Sequence, residues 1–101
     1  MDVVDFSKYV VNNLNRATLG NALNITSTVI SSKYNLDDFI NNIIKYSIEL
    51  GQQNKLNCNT VYNILFYSNK CLETLKNKGS LTDIMVLDNY IIEIWRVING
   101  C

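Results

Sequence analysis

The sequence predicts an all-α fold, a compact bundle of four to five helices arranged as up-down hairpins and forming a single helical domain over residues 1–101. Three observations carry this expectation. Apolar residues recur at spacings of three and four along every long segment, which is the repeat of a helix face. Proline is absent, and Asn, Asp, Ser, Thr and Gly stand where helices need to start and stop. The chain is 48% hydrophobic and 18% charged. At its size, folding is expected to shrink the accessible surface from about 16,700 to about 5,800 Å², enough to close one core.

The first segment opens on Asp2 or Asp5 as a cap, and Val3, Phe6, Val10 and Leu14 share one face that Val4 and Val11 widen. The pattern continues past Arg16 through Leu19, Leu23, Thr26 and Ile30. Gly20 and the hydroxyl-rich run from Thr26 to Ser32 oppose one long helix. Glycine costs about 1 kcal/mol in a helix interior, and Ser and Thr compete for backbone hydrogen bonds. A break or kink near Asn24 is therefore expected.

Asn35 suits the cap of the next helix, with Asp37 and Asp38 complementing its positive dipole end. Phe39, Ile40, Ile43, Ile44, Ser47, Ile48 and Leu50 follow at helical period, and Gly51 with Gln52 to Asn54 reads as the stop. Asn59 is the expected cap of a third helix whose stripe is Val61, Ile64, Leu65, Ser68, Cys71, Leu72 and Leu75. Gly79 ends it after Lys76 and Lys78, two cations at the negative dipole end. Tyr62, Phe66 and Tyr67 form an aromatic strip beside that stripe. With only Lys70, Lys76 and Lys78 nearby and Glu73 opposing them, these rings are expected to pack half in and half out of the bundle rather than stack on nucleic acid.

Ser80 to Asp83 resembles a capping box and starts the last helix, which carries Leu81, Ile84, Met85, Leu87, Ile91, Ile92, Ile94, Trp95, Val97 and Ile98. So short a connection after Gly79 predicts a tight antiparallel hairpin. A helix apolar on so many sides is either central or covered by a second chain.

From this comes the functional expectation of a non-enzymatic protein–protein interaction module, an adaptor, inhibitor or regulatory subunit, self-associating as a homodimer through the C-terminal helix. Trp95 would be the anchor, Tyr90 and Ile94 would contribute at the rim, and Met85 and Ile92 would form the adjoining side. One alternative is a small DNA-binding regulator with a degenerate helix-turn-helix near residues 17–33, turning at Asn24 and presenting Thr26, Ser27, Thr28, Ser31 and Lys33. Only Arg16 and Lys33 supply charge there, so nucleic acid is not the expected partner. Another is a chaperone-like bundle holding an amphipathic client helix.

Nine basic and nine acidic residues cancel, and histidine is absent. That removes long-range steering toward polyanions, the common proton shuttle and the commonest metal ligand. Asp37 and Asp38 diverge by about 100° on a helix, and Glu93 with Arg96 reads as an ordinary exposed pair. Cys58, Cys71 and Cys101 match no metal or redox spacing, and Cys71 reads as a small buried hydrophobe. No enzyme, cofactor or metal is therefore expected. No apolar run exceeds four residues, the first residues lack a signal-peptide pattern, and the final Cys101 lacks prenylation context. A soluble, cytoplasmic protein outside the membrane is the expectation. Sixteen Asn and twelve Ile point to a low-GC genome.

Overall fold

The computed structural model describes residues 1–77 and 79–100; the cation expected at Lys78 and the final Cys101 lie outside them. Five helices form: α1 Val3–Asn13, α2 Leu19–Ser31, α3 Leu36–Gln52, α4 Cys58–Lys76 and α5 Asp83–Asn99, with a 3₁₀ turn at Leu14–Arg16. The described residues contain no strand.

The caps explain where each helix starts. Asp2, not Asp5, caps α1, its carboxylate accepting from the Asp5 amide at 2.8 Å. The break falls earlier than Asn24. After the 3₁₀ turn Ala17 is extended (φ −84°, ψ 143°), and the Thr18 hydroxyl accepts from the Asn21 amide at 3.2 Å to open α2. Gly20 thereby falls in the first turn, where the interior glycine penalty does not apply. The hydroxyls of Thr28 and Ser31 donate to the carbonyls of Asn24 and Thr28, so they stay within the helix instead of ending it. Asn35 caps α3 as expected, accepting from the Asp38 amide at 3.0 Å.

Three boundaries differ from the sequence expectation. Gly51 lies inside α3, and of the residues expected to stop the helix it is Asn54 that does so, in the left-handed conformation (φ 59°). There the Lys55 amide reaches back to the Leu50 carbonyl at 2.8 Å, a Schellman closure. Asn57 rather than Asn59 caps α4. Thr82 rather than Ser80 caps α5, which leaves Leu81 just outside the helix, where it and Val86 occupy the positions of a hydrophobic staple.

Neighbouring helices pack in the order α2, α5, α4, α3, α1, and the 3₁₀ turn bridges α1 to α5. The α4–α5 hairpin forms as expected, and α3 packs on α4 in chain order. The first part of the chain leaves simple up-down order. The Ser7 hydroxyl lies 3.3 Å from the Phe39 carbonyl and the Tyr46 hydroxyl donates to Asn12 Oδ1 at 3.0 Å, so α1 and α3 run parallel. The intervening α2 crosses to α5. One core joins all five helices and centres on Leu14, Val29, Phe39, Ile43, Ile64, Leu87, Ile91 and Ile94. The accessible surface is 6043 Å², close to the value expected for one closed core of this mass.

Candidate interaction surface

α5 sits between α2 and α4 with the 3₁₀ turn against it, and these neighbours cover most of what its sequence seemed to leave over. Ile94 is fully buried and Tyr90 nearly so. The rim role expected of these two is corrected: both are core residues, because they lie on the face shared with Val86, Leu87 and Ile91. The Tyr90 hydroxyl meets Ser68 Oγ at 2.5 Å. Burial holds its phenol protonated, far above the ordinary tyrosine range, and the Ser68 contact opposes this only in part.

Trp95 is half-buried, and its indole N–H donates to the Ala17 carbonyl at 2.8 Å. One turn on, Asn99 Nδ2 donates to the Leu14 carbonyl at 3.0 Å and to Trp95 O at 2.8 Å. Both side chains serve the corner between α1 and α2: Asn99 adds a second donor to the Leu14 carbonyl, which also accepts from the Ala17 amide at 3.2 Å, and Trp95 bonds the Ala17 carbonyl. Trp95 is thus an anchor within the chain. Ile92 is half-buried. Met85 is 50% exposed and Ile84 51%, so the open apolar part of α5 is its first turn.

The largest aromatic exposure lies on α4. Tyr62 is 68% exposed, beyond the half-in packing expected of the strip, whereas Phe66 at 52% sits half in and half out as expected. Tyr67 does pack half-buried, with the Phe66 ring edge-on to it at 5.2 Å and 82°. Next to these rings a groove of about 340 Å³ runs between α4 and α5. Cys71, Val86 and Tyr90 form its buried floor, and Tyr67, Leu81 and Lys70 stand on its sides. A second, more open hollow of about 520 Å³ lies over Tyr62, Phe66 and Asn69. Lys70 and Glu73 are exposed between the two hollows. Neither is ion-paired to a described residue, whereas Glu93 and Arg96 pair at 3.4 Å as the sequence suggested.

The groove offers apolar contact rather than a reactive group. Burial, with the Asp37 carboxylate adding to it, pushes the Cys71 thiol up to about 12, so it stays a thiol at neutral pH. Its buried place on the α4 stripe is the one read from the sequence. Among the described residues no group of three or more His, Cys, Asp or Glu could hold a metal ion. No helix of those residues is long and apolar enough to cross a membrane.

The helix-turn-helix expected near residues 17–33 does not form, since α2 runs unbroken through Asn24. Thr26 is buried, and the hydroxyls of Thr28 and Ser31 are bonded within their own helix. Ser27 is exposed on that helix. Lys33 sits beyond its end with φ 57°, as the left-handed residue of a Schellman closure in which Tyr34 donates to Val29 at 3.3 Å. The turn instead precedes Thr18, whose hydroxyl caps α2 by accepting from the Asn21 amide.

Sequence reasoning also missed the pairing of Ser68 with Tyr90, although a serine inside an apolar stripe signals a buried partner. It missed Asn99 entirely, although its place four residues after Trp95 sets both on one helix face. No protein-family model, no curated protein and no solved structure matches this chain, which leaves the geometry of its own residues as the ground for a functional reading.

Proposed function

We propose that the chain is a non-enzymatic protein–protein interaction module, an adaptor, inhibitor or regulatory subunit, whose docking surface is the outward side of α4 together with its groove against α5. The observation that supports this most is the exposure of Tyr62 and Phe66 beside a groove with an apolar floor. Large aromatics concentrate binding energy at protein interfaces, and these two stand four residues apart on one face of α4. The reading moves the contact from α5, where the sequence suggested it, to the neighbouring helix, because α5 is largely enclosed by its own chain.

Light scattering on the purified chain, joined to affinity capture from cells that express it, tests the proposal with Phe66→Asp alongside. The expected outcome is a complex of defined stoichiometry, with itself or another protein, that Phe66→Asp abolishes while far-ultraviolet helicity is unchanged. A natural chain that stays monomeric and captures nothing overturns it.

A further inference from the structure

We propose that Asn99–Gly100 is a modification site: Asn99 deamidates when the corner between α1 and α2 opens, and the carboxylate left behind hinders that corner from closing again. The site stands whether or not the chain docks a partner.

Sixteen asparagines are present, and Asn99 is the only one followed by glycine. In the reaction the Gly100 amide nitrogen attacks Asn99 Cγ. The N–Cγ bond forms, the Cγ–Nδ2 bond breaks, and the amide proton leaves with Nδ2 as ammonia. Water then opens the cyclic imide to aspartate or isoaspartate, with no oxidant, metal or enzyme. Glycine puts no Cβ beside the attacking nitrogen and leaves the backbone free to reach the ring geometry.

The closed fold opposes each part of this step. Asn99 is the last residue of α5, so its backbone must leave helical angles before the ring can form. Nδ2, the leaving group, donates to the Leu14 carbonyl at 3.0 Å and to Trp95 O at 2.8 Å. The attacking nitrogen is engaged as well, because the Gly100 N–H donates to the carbonyls of Arg96 and Val97. Local opening that lifts the last turn of α5 from Leu14 releases both groups together.

The product cannot restore what was lost. Aspartate has no hydrogen to donate, so a carboxylate would face the two carbonyls that Nδ2 had served. It would also stand at the negative end of the α5 dipole. Isoaspartate adds a methylene to the backbone at the same point. The disturbance falls on the corner that Trp95 closes through the Ala17 carbonyl, one turn earlier on α5.

Mass spectrometry of the full chain during incubation in mildly alkaline buffer, with and without concentrated urea, reads the conversion at Asn99. The folded chain is expected to convert at least about tenfold more slowly than the unfolded one. Trp95→Phe, which loosens the same corner, is expected to convert faster than the natural chain in buffer and at the same rate in urea. Equal rates with and without urea, or a Trp95→Phe rate unchanged in buffer, overturn protection by the corner. An Asn99 that converts no faster in urea than the other asparagines overturns the site itself.

Asn99→Asp tests the consequence, read by the emission of Trp95, the chain's single tryptophan, and by the urea midpoint. Red-shifted emission and a midpoint below that of the natural chain are expected. The difference should shrink as pH falls through the carboxylate range, because a protonated carboxyl regains one donor. An Asn99→Asp chain that matches the natural emission and midpoint overturns the effect on the corner.

Discussion

Trp95 and Asn99 donate from consecutive turns of α5 to Ala17 and Leu14, closing the corner at which the first helix ends. The tryptophan was conspicuous in the sequence, but its role was not, because the acceptor lies 78 residues away in the chain. Trp95→Phe keeps a large apolar ring and removes the donor. The expected outcome is a loss of about 1–2 kcal/mol in urea denaturation with no change in oligomeric state. An interface anchor would behave the other way, altering association and leaving stability alone. Cys71 was legible for the opposite reason. Its burial follows from its place on a local stripe with Ile64 and Ser68, and a stripe is read from spacing without knowledge of the fold.

The starts of α3, α4 and α5 were legible to within two residues, whereas the break between α1 and α2 lies at Ala17 and Thr18, well before Asn24. Asn57 and Asn59 can both cap α4, and Ser80 and Thr82 can both cap α5. The caps used are Asn57 and Thr82, starting each helix one position beyond them. Gly51 was read as a stop because glycine usually ends helices. In the structure it is helical, and a Cβ there would stand 2.9 Å from Val61 Cγ2, so the missing side chain is what lets α3 and α4 approach. Gly51→Ala gains about 1 kcal/mol of helix propensity but must displace a β-branched neighbour. The expected outcome is a net destabilisation of about 1–2 kcal/mol by chemical denaturation. Gly20→Ala is the control: the nearest atom to its Cβ is Thr18 Oγ1 at 3.9 Å, so the same change there is expected to be neutral or stabilising.

For the folded molecule as a unit, the burial of Cys71 and Tyr90 predicts a loss of stability at alkaline pH. The unfolded chain releases the Cys71 proton near its ordinary 9.0 and the Tyr90 proton near 10.0. In the fold the thiol holds its proton to about 12, and the phenol further still. The unfolded state therefore binds fewer protons above pH 9.0, so stability is full below that pH and falls as pH rises toward 12. The urea midpoint should decline over this range, and Cys71→Ala should move the onset up toward 10.0, where Tyr90 takes over. A midpoint that stays flat through the range would mean neither group is sheltered from water.

The same long-range packing separates what could be read from what could not. Helix content, most caps and the inward faces depend on residues within a turn or two of one another, and the amino-acid order alone sufficed for them. Periodicity gives the direction in which a face points but not which element will cover it. Three neighbours cover α5, namely α2, α4 and the 3₁₀ turn, because the chain turns its corner at Ala17 and Thr18 rather than near Asn24. Trp95 of α5 is half-buried by that enclosure, and the exposed aromatic rings lie elsewhere, at Tyr62 and Phe66 of α4 and Tyr9 of α1.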